Sequence, residues 1–364
     1  MQNNRIERVL ASMREQDVPQ MIVSDPVGIF YLTGCAYEPG ERLLALYLNV
    51  NGNHKIFVNE LFPQKKDPGV EVIWYNDIED GVEIISRYVE KDKTMGIDKN
   101  WASGFLIRLM ELGGGSRFVN ASPIVDYVRQ IKDAEEQEKM RISSRINDAV
   151  IEEVIPLVNQ GFKEEELDKK VRAIYKAHGC EGVSFSPITS FGVNGADPHH
   201  MPDETRGKRG DSVVIDIGGF KDHYASDMTR TVFLGEVSEK QREVYEIVKE
   251  ANRRGIEAAK PGNRMKDVDL AARNYIEEMG YGEYFTHRTG HSIGLEDHEF
   301  GDVSSVNDDI IKPGQCFSVE PGIYLKEEGF GVRIEDILLV TEDGCEVLNK
   351  VPRDLIVLPF EEDK

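Results

Sequence analysis

Residues 213–232 read VVIDIGGFKDHYASDMTRTV. Two runs of β-branched and apolar residues flank a Gly-Gly pair and a short polar segment, the pattern of a β-hairpin. Each arm carries an aspartate, Asp216 and Asp227, where a strand normally places a neutral side chain. With the turn centred between Lys221 and Asp222 and a loop from Phe220 to His223, Gly219 pairs with Tyr224. The same register then sets Asp216 directly opposite Asp227. Facing Cβ atoms lie about 4.5–5.5 Å apart, and like charges at that distance repel. Such a pair calls for a shared proton, a basic partner or a metal ion.

The hairpin belongs to a chain of 364 residues, 40% of them hydrophobic. That is more chain than one core usually holds, so two domains are expected. The formal net charge of −22 argues against nucleic acid as a partner, since binding it needs a basic surface. The opening MQNNRIERVL has no apolar core of signal-peptide length, and no run of about 18 apolar residues occurs, so no membrane partner is expected. Cys35, Cys180, Cys316 and Cys345 form no C-x-x-C. They read as reduced thiols of a cytoplasmic protein.

Working outward, the first third alternates strand-like and helix-like segments. Strands are expected over 20–24, 43–50, 55–59, 70–75, 94–98 and 117–120, and helices over 77–90 and 101–112, an α/β layer domain. The charged run KDAEEQEKMR (132–141) opens a second region. In 162–179, Leu167, Val171, Ile174 and Tyr175 share one helical face behind a Glu-rich first turn. Strands follow over 183–190 and in the hairpin. Helices return over 238–262, behind a Ser N-cap, and over 264–280, with Val268, Ala272, Tyr275, Ile276 and Met279 on one stripe. Strands come back over 317–325 and 332–340. The order helices, strands, helices, strands suggests two similar halves with a site at their junction.

The informative acids lie outside helices. Glu320 ends an apolar run just before Pro-Gly, and Glu335 sits inside VRIEDILLV. A carboxylate facing an interior is costly unless paired or metal-bound. His291 lies in the glycine-rich RTGHSIGLEDHE (288–299). Singly, each has a plain structural explanation: Asp216 ending an edge strand, Glu335 pairing with Arg333, His291 satisfied in a core. Together, Asp216, Asp227, His291, Glu320 and Glu335 make an oxygen-rich set with one nitrogen. That suits Mn²⁺, Co²⁺ or Fe²⁺, and four carboxylates balance two divalent ions.

These residues resemble the M24 "pita-bread" metallopeptidases: prolidases, aminopeptidases P and methionine aminopeptidases. VVIDIGG, SDMTRTV, TGHSIGLEDHE, SVEPGIY and VRIEDILLV fall in that family's order, and GIFYLTG (28–34) is similar to a stretch of the creatinase/prolidase N-terminal domain. The resemblance implies an α+β chain with a smaller creatinase-type α/β domain over 1–130 and a pita-bread catalytic domain over 131–364. It implies metal ligation by Asp216, Asp227, His291, Glu320 and Glu335, with Glu320 also moving a proton. His199 in GADPHHMP (195–202) and His298 match the active-site histidines, His200 being the neighbour. Tyr324 and Arg333 match residues near the substrate's proline end or just behind the metal ligands. Ser292 stands where the family often has glycine; a small residue fits there, so little effect on metal binding is expected, with any change falling on the shape of the substrate.

The implied reaction is hydrolysis of a Xaa-Pro bond, most simply in dipeptides, by a hydroxide bridging two divalent ions such as Mn²⁺ or Co²⁺. Xaa-Pro aminopeptidase action on longer peptides, or cleavage of a non-peptide C–N bond on the same fold, stays open. An X-Pro amide has no N–H and a fixed φ, so peptidases that grip a regular backbone cannot hold it. The resemblance further implies a homodimer. The literal G-x-S-x-G at 290–294 would suit a serine hydrolase, but a poor helix follows and no distant later histidine exists. A non-catalytic or creatinase-like relative would lack most of these ligands.

Overall fold

The computed structural model describes residues 1–360. Two compact units form, Met1–Arg129 and the chain from Gln130 onward. The first runs α1 (Asn3–Glu15), β1 (Gln20–Val23), α2 (Pro26–Thr33), β2 (Ala45–Asn49), β3 (Lys55–Asn59), β4 (Glu71–Tyr75), α3 (Gly81–Ser86), β5 (Thr94–Ile97), α4 (Ser103–Glu111), β6 (Arg117–Asn120) and α5 (Ser122–Gln130). Its sheet has the order β4-β3-β2-β1-β5-β6, with Ile22, Tyr47, Phe57, Met95 and Leu109 in its core. The helix expected over 77–90 is only α3. Asn76 forms an Asx turn by accepting from the Ile78 N–H, and Asp80 caps α3 through the N–H groups of Val82 and Glu83.

The second unit begins with α6 (Ala134–Val154) and α7 (Glu164–Ala177). A capping box at Asp133 starts α6, and α7 buries Leu167, Val171 and Tyr175. Then come β7 (Gly182–Val183), β8 (Ile188–Phe191), β9 (Ser212–Ile217), β10 (Gly219–Lys221), β11 (Tyr224–Ala225) and β12 (Met228–Leu234). Helices α8 (Glu239–Ala258) and α9 (Met265–Glu278) follow. The remainder is β13 (Gly290–Ser292), β14 (Glu299–Val303), β15 (Cys316–Val319), β16 (Gly322–Leu325), β17 (Phe330–Arg333), β18 (Asp336–Val340), β19 (Cys345–Val347) and β20 (Ile356–Leu358). The helix–strand–helix–strand order holds. Two sheets carry the site, β20-β12-β9-β8 and β14-β13-β15-β18-β19.

The hairpin register differs from expectation by two residues. Lys221 pairs with Tyr224, so the loop is Asp222-His223, both at positive φ (50° and 67°). That is the backbone of a type I′ turn, whose twist matches the flanking strands. Asp216 therefore faces Thr229 rather than Asp227.

Two expected strands are broken, and each break holds a carboxylate. Segment 317–325 splits into β15 and β16 at Glu320-Pro321, where proline has no N–H to continue a ladder. Segment 332–340 splits into β17 and β18 at Ile334-Glu335. Arg230 holds that second break, donating to the Glu335 carbonyl at 2.6 Å and to Asp336 Oδ1 at 2.8 Å. Val268, Ala272 and Ile276 form the buried stripe of α9, but Met279 lies past its end and is 43% exposed.

Candidate metal centre

A cavity of about 530 Å³ opens in the second unit. It is lined by all five expected ligands, by His199 and His298, and by Arg333. Tyr324 is the exception among the expected residues: it lines an adjoining cavity and reaches the first through Arg333 and His287.

Each side chain is aimed by a local feature. Asp216 comes from the end of β9, and Asp227 from the link before β12. His291 sits in β13 at a bulge, where the pairing with β14 shifts between His291 and Ser292. Its Nδ1 contacts the Ser292 carbonyl at 3.3 Å, which turns Nε2 toward the carboxylates. Nε2 stands 3.5 Å from Asp227 Oδ2 and 3.6 Å from Glu320 Oε1. Those gaps are too long for hydrogen bonds. They are close to the separation of about 3–3.5 Å between donors that share one ion ~2.0–2.2 Å away. One donor atom from each of Asp227, His291 and Glu335 lies within 4.8 Å of the others.

The fit to cations is clearest in what the carboxylates lack. Asp216 Oδ1, Asp227 Oδ1 and Glu335 Oε1 are buried with no hydrogen-bond partner. Two of the second oxygens are engaged: Asp216 Oδ2 by Arg333 Nη2 at 2.5 Å, and Glu335 Oε2 by the Thr229 hydroxyl at 2.7 Å. Buried anionic oxygens without donors are costly, and divalent ions offset that cost. Burial, and after it the charge of Glu335, pushes the Asp227 carboxyl well above the usual range. Burial likewise raises Glu335 strongly and Glu320 to about 8. Burial pushes the His291 imidazolium down to about 3, leaving a neutral imidazole ready to ligate. Donor set and protonation together suit hard or borderline divalent ions.

The family models agree. That of metallopeptidase family M24 matches residues 138–342, and that of the creatinase/prolidase N-terminal domain matches residues 5–131. This chain belongs to family M24. The Xaa-Pro dipeptidase of Pyrococcus furiosus is 35% identical over 97% of this chain and 99% of its own length. The crystal structure of the prolidase from Pyrococcus horikoshii OT3 superposes with a TM-score of 0.88 at 32% identity, covering 97% of this chain and 100% of that one. An X-Pro aminopeptidase from Thermotoga maritima gives 0.82 at 29% identity, covering 96% and 100%. The two-domain architecture of a creatinase-type N-terminal domain and a pita-bread domain holds, and the chain is a metallopeptidase.

In this M24 centre, Arg333 does not pair with Glu335. Its Nη2 takes Asp216, its Nε donates to Thr229 Oγ1 at 3.1 Å, and its Nη1 donates to the Tyr324 hydroxyl at 2.9 Å. The His298 ring lies 3.9 Å from that of His291, with its side chain 59% exposed. His200 lines the same cavity but is held by Glu164 at 2.7 Å. Ser292 is buried in β13 and no helix follows it over 293–303, which removes the serine-hydrolase reading. Sequence reasoning overlooked His287, Arg288 and Asp297, which also line the cavity. His287 Nε2 meets the Tyr324 hydroxyl at 2.8 Å. Among the described residues no helix is long and apolar enough to cross a membrane.

Proposed function

We propose that this M24 peptidase hydrolyses Xaa-Pro bonds, chiefly in dipeptides. The observation that carries the reading is the convergence of Asp216, Asp227, His291, Glu320 and Glu335 on one cavity, with three buried carboxylate oxygens left without partners. The similarity to a Xaa-Pro dipeptidase and to a prolidase supports the same substrate class.

Those five side chains would hold two divalent ions, Mn²⁺ or Co²⁺. Bound there, such ions would supply an acidified water and polarisation of the scissile carbonyl. The chain's own groups supply the rest. Glu320, steadied by the Ser318 hydroxyl at 3.2 Å, takes up a proton and hands it to the proline nitrogen. His199 and His298, on the cavity wall, donate to the oxyanion. Arg333 and Tyr324, hydrogen-bonded to one another, brace Asp216 and border the proline end. The catalytic domain of this reading spans 131–364, after the N-terminal domain over 1–130. The free thiols support a cytoplasmic setting, and the family resemblance supports a homodimer.

A substrate panel tests this. Purified protein is given Xaa-Pro dipeptides, longer Xaa-Pro peptides and non-peptide amides, with Mn²⁺ or Co²⁺ and again after chelation. Metal-dependent cleavage of dipeptides is expected. Cleavage that survives chelation, or confined to non-peptide amides, overturns the proposal. Preference for longer peptides favours the aminopeptidase alternative.

A further inference from the structure

Asp297 lies in the loop between β13 and β14, two residues before β14 begins. It lines the same cavity as the five ligands. Its Oδ1 is buried with no hydrogen-bond partner, a state it shares with Asp216 Oδ1, Asp227 Oδ1 and Glu335 Oε1. Those three atoms are the ones assigned to cations above, so Asp297 carries the same signature. Its carboxyl lies beside that of Asp227. Its Oδ2 is 3.6 Å from His298 Nε2. Among the described residues no arginine or lysine pairs with it, whereas Asp216 has Arg333.

We propose that Asp297 is a fifth carboxylate of the metal centre, donating through Oδ1 to an ion that Asp227 also holds. The inference rests on the dinuclear reading and adds a ligand to it. A loop carboxylate that merely met solvent would turn its oxygens outward or find an N–H. This one buries an oxygen against the ligand cluster, which only a cation or a donor can compensate. It also gives one of the two positions more negative charge than the other, so the two ions differ in affinity.

The test reads metal, not only turnover. Wild type, Asp297→Asn and Asp297→Val are stripped with chelator, checked for folding by circular dichroism, and titrated with Mn²⁺ by equilibrium dialysis and with Co²⁺ by visible spectroscopy. The wild type is expected to bind two ions. In both variants one of the two is expected to weaken at least about tenfold, the scale on which lost ligand or supporting contacts act. The Co²⁺ spectrum of that site should change. Two ions held with wild-type affinity and spectrum in both variants would overturn the Asp297 assignment and leave the metallopeptidase reading standing. A wild type that binds no ion would overturn both.

Discussion

Arg333 Nη2 lies 2.5 Å from Asp216 Oδ2, and the same guanidinium meets the Tyr324 hydroxyl 2.9 Å away. Both Arg333 and Asp216 are almost wholly buried. Asp216 therefore has one oxygen neutralised by an arginine and one left for an ion. The planar fork lets one side chain reach Asp216, Thr229 and Tyr324 at once, which lysine cannot do.

Replacing Arg333 with Met should leave Asp216 as an uncompensated buried charge. Removing one partner of such a pair costs about 3–5 kcal/mol. Ions bound at Asp216 would supply part of the missing positive charge. Calorimetry should show a larger drop in Tm for the metal-free variant than for the Mn²⁺-loaded one. An equal drop in both states would mean that Asp216 does not touch the ions.

Much of this was legible before the structure. The hairpin, both buried aspartates and the segments whose carboxylates line the cavity follow from polar residues set in apolar runs. The register did not, because Asp222 and His223 adopt positive φ without a glycine to announce it. Glu164 reads as an ordinary first-turn acid serving the helix dipole. In the fold it is fully buried, accepting from the Phe191 N–H, Asn194 and His200, and so ties down the segment that carries His199. His287 and Asp297 are polar residues in polar loops, and their roles exist only through contacts with Tyr324 and Asp227. Local composition carries no trace of such partners.

The metal-free protein should lose stability as pH rises from about 6.5 to about 8, the reverse of common behaviour. Burial raises Asp297 to about 7 and Glu320 to about 8. Between the unfolded carboxyl value near 4.3 and these folded values, the native state binds more protons than the unfolded state. Stability then falls with pH. His287, pushed down to about 4 by burial, acts in the opposite sense, but only below the unfolded histidine value near 6.5. Across the upper window Glu320 alone contributes on the order of 2 kcal/mol. Scanning calorimetry in chelator should show Tm falling over this range, with a shallower slope in Glu320→Gln. Saturating Mn²⁺ should abolish the fall, since ions replace the protons.

Gly290 should tolerate no side chain. A Cβ there would stand 1.9 Å from the Ser318 carbonyl oxygen on β15, a backbone atom that cannot swing aside. Gly290→Ala would push β13 from β15 and carry His291 with it, since His291 N donates to Ser318 Oγ at 3.0 Å. The variant should fold with reduced Tm and weaker Mn²⁺ binding. Unchanged metal affinity in a folded variant would show that the ligands do not depend on this strand contact.

Replacing Arg288 should distinguish dipeptidase from aminopeptidase action. It is exposed on the cavity wall and has no hydrogen bond or ion pair from its side chain among the described residues. Every other charge at the cavity floor is a carboxylate or is already paired, as Arg333 is with Asp216. A dipeptide ending in proline brings a free carboxylate, and a guanidinium can grip it through two parallel hydrogen bonds. A longer peptide presents a neutral amide at that point. Arg288→Ala should raise KM for Xaa-Pro dipeptides about tenfold or more, corresponding to a charge-assisted hydrogen bond of about 1.5–3 kcal/mol. It should leave kcat near wild type, because the contact is made equally in ground and transition states. Xaa-Pro amides, which lack the charge, should show nearly the same KM with both proteins. Equal losses on the acid and the amide would place Arg288 outside carboxylate recognition and remove the physical basis for a dipeptide preference here.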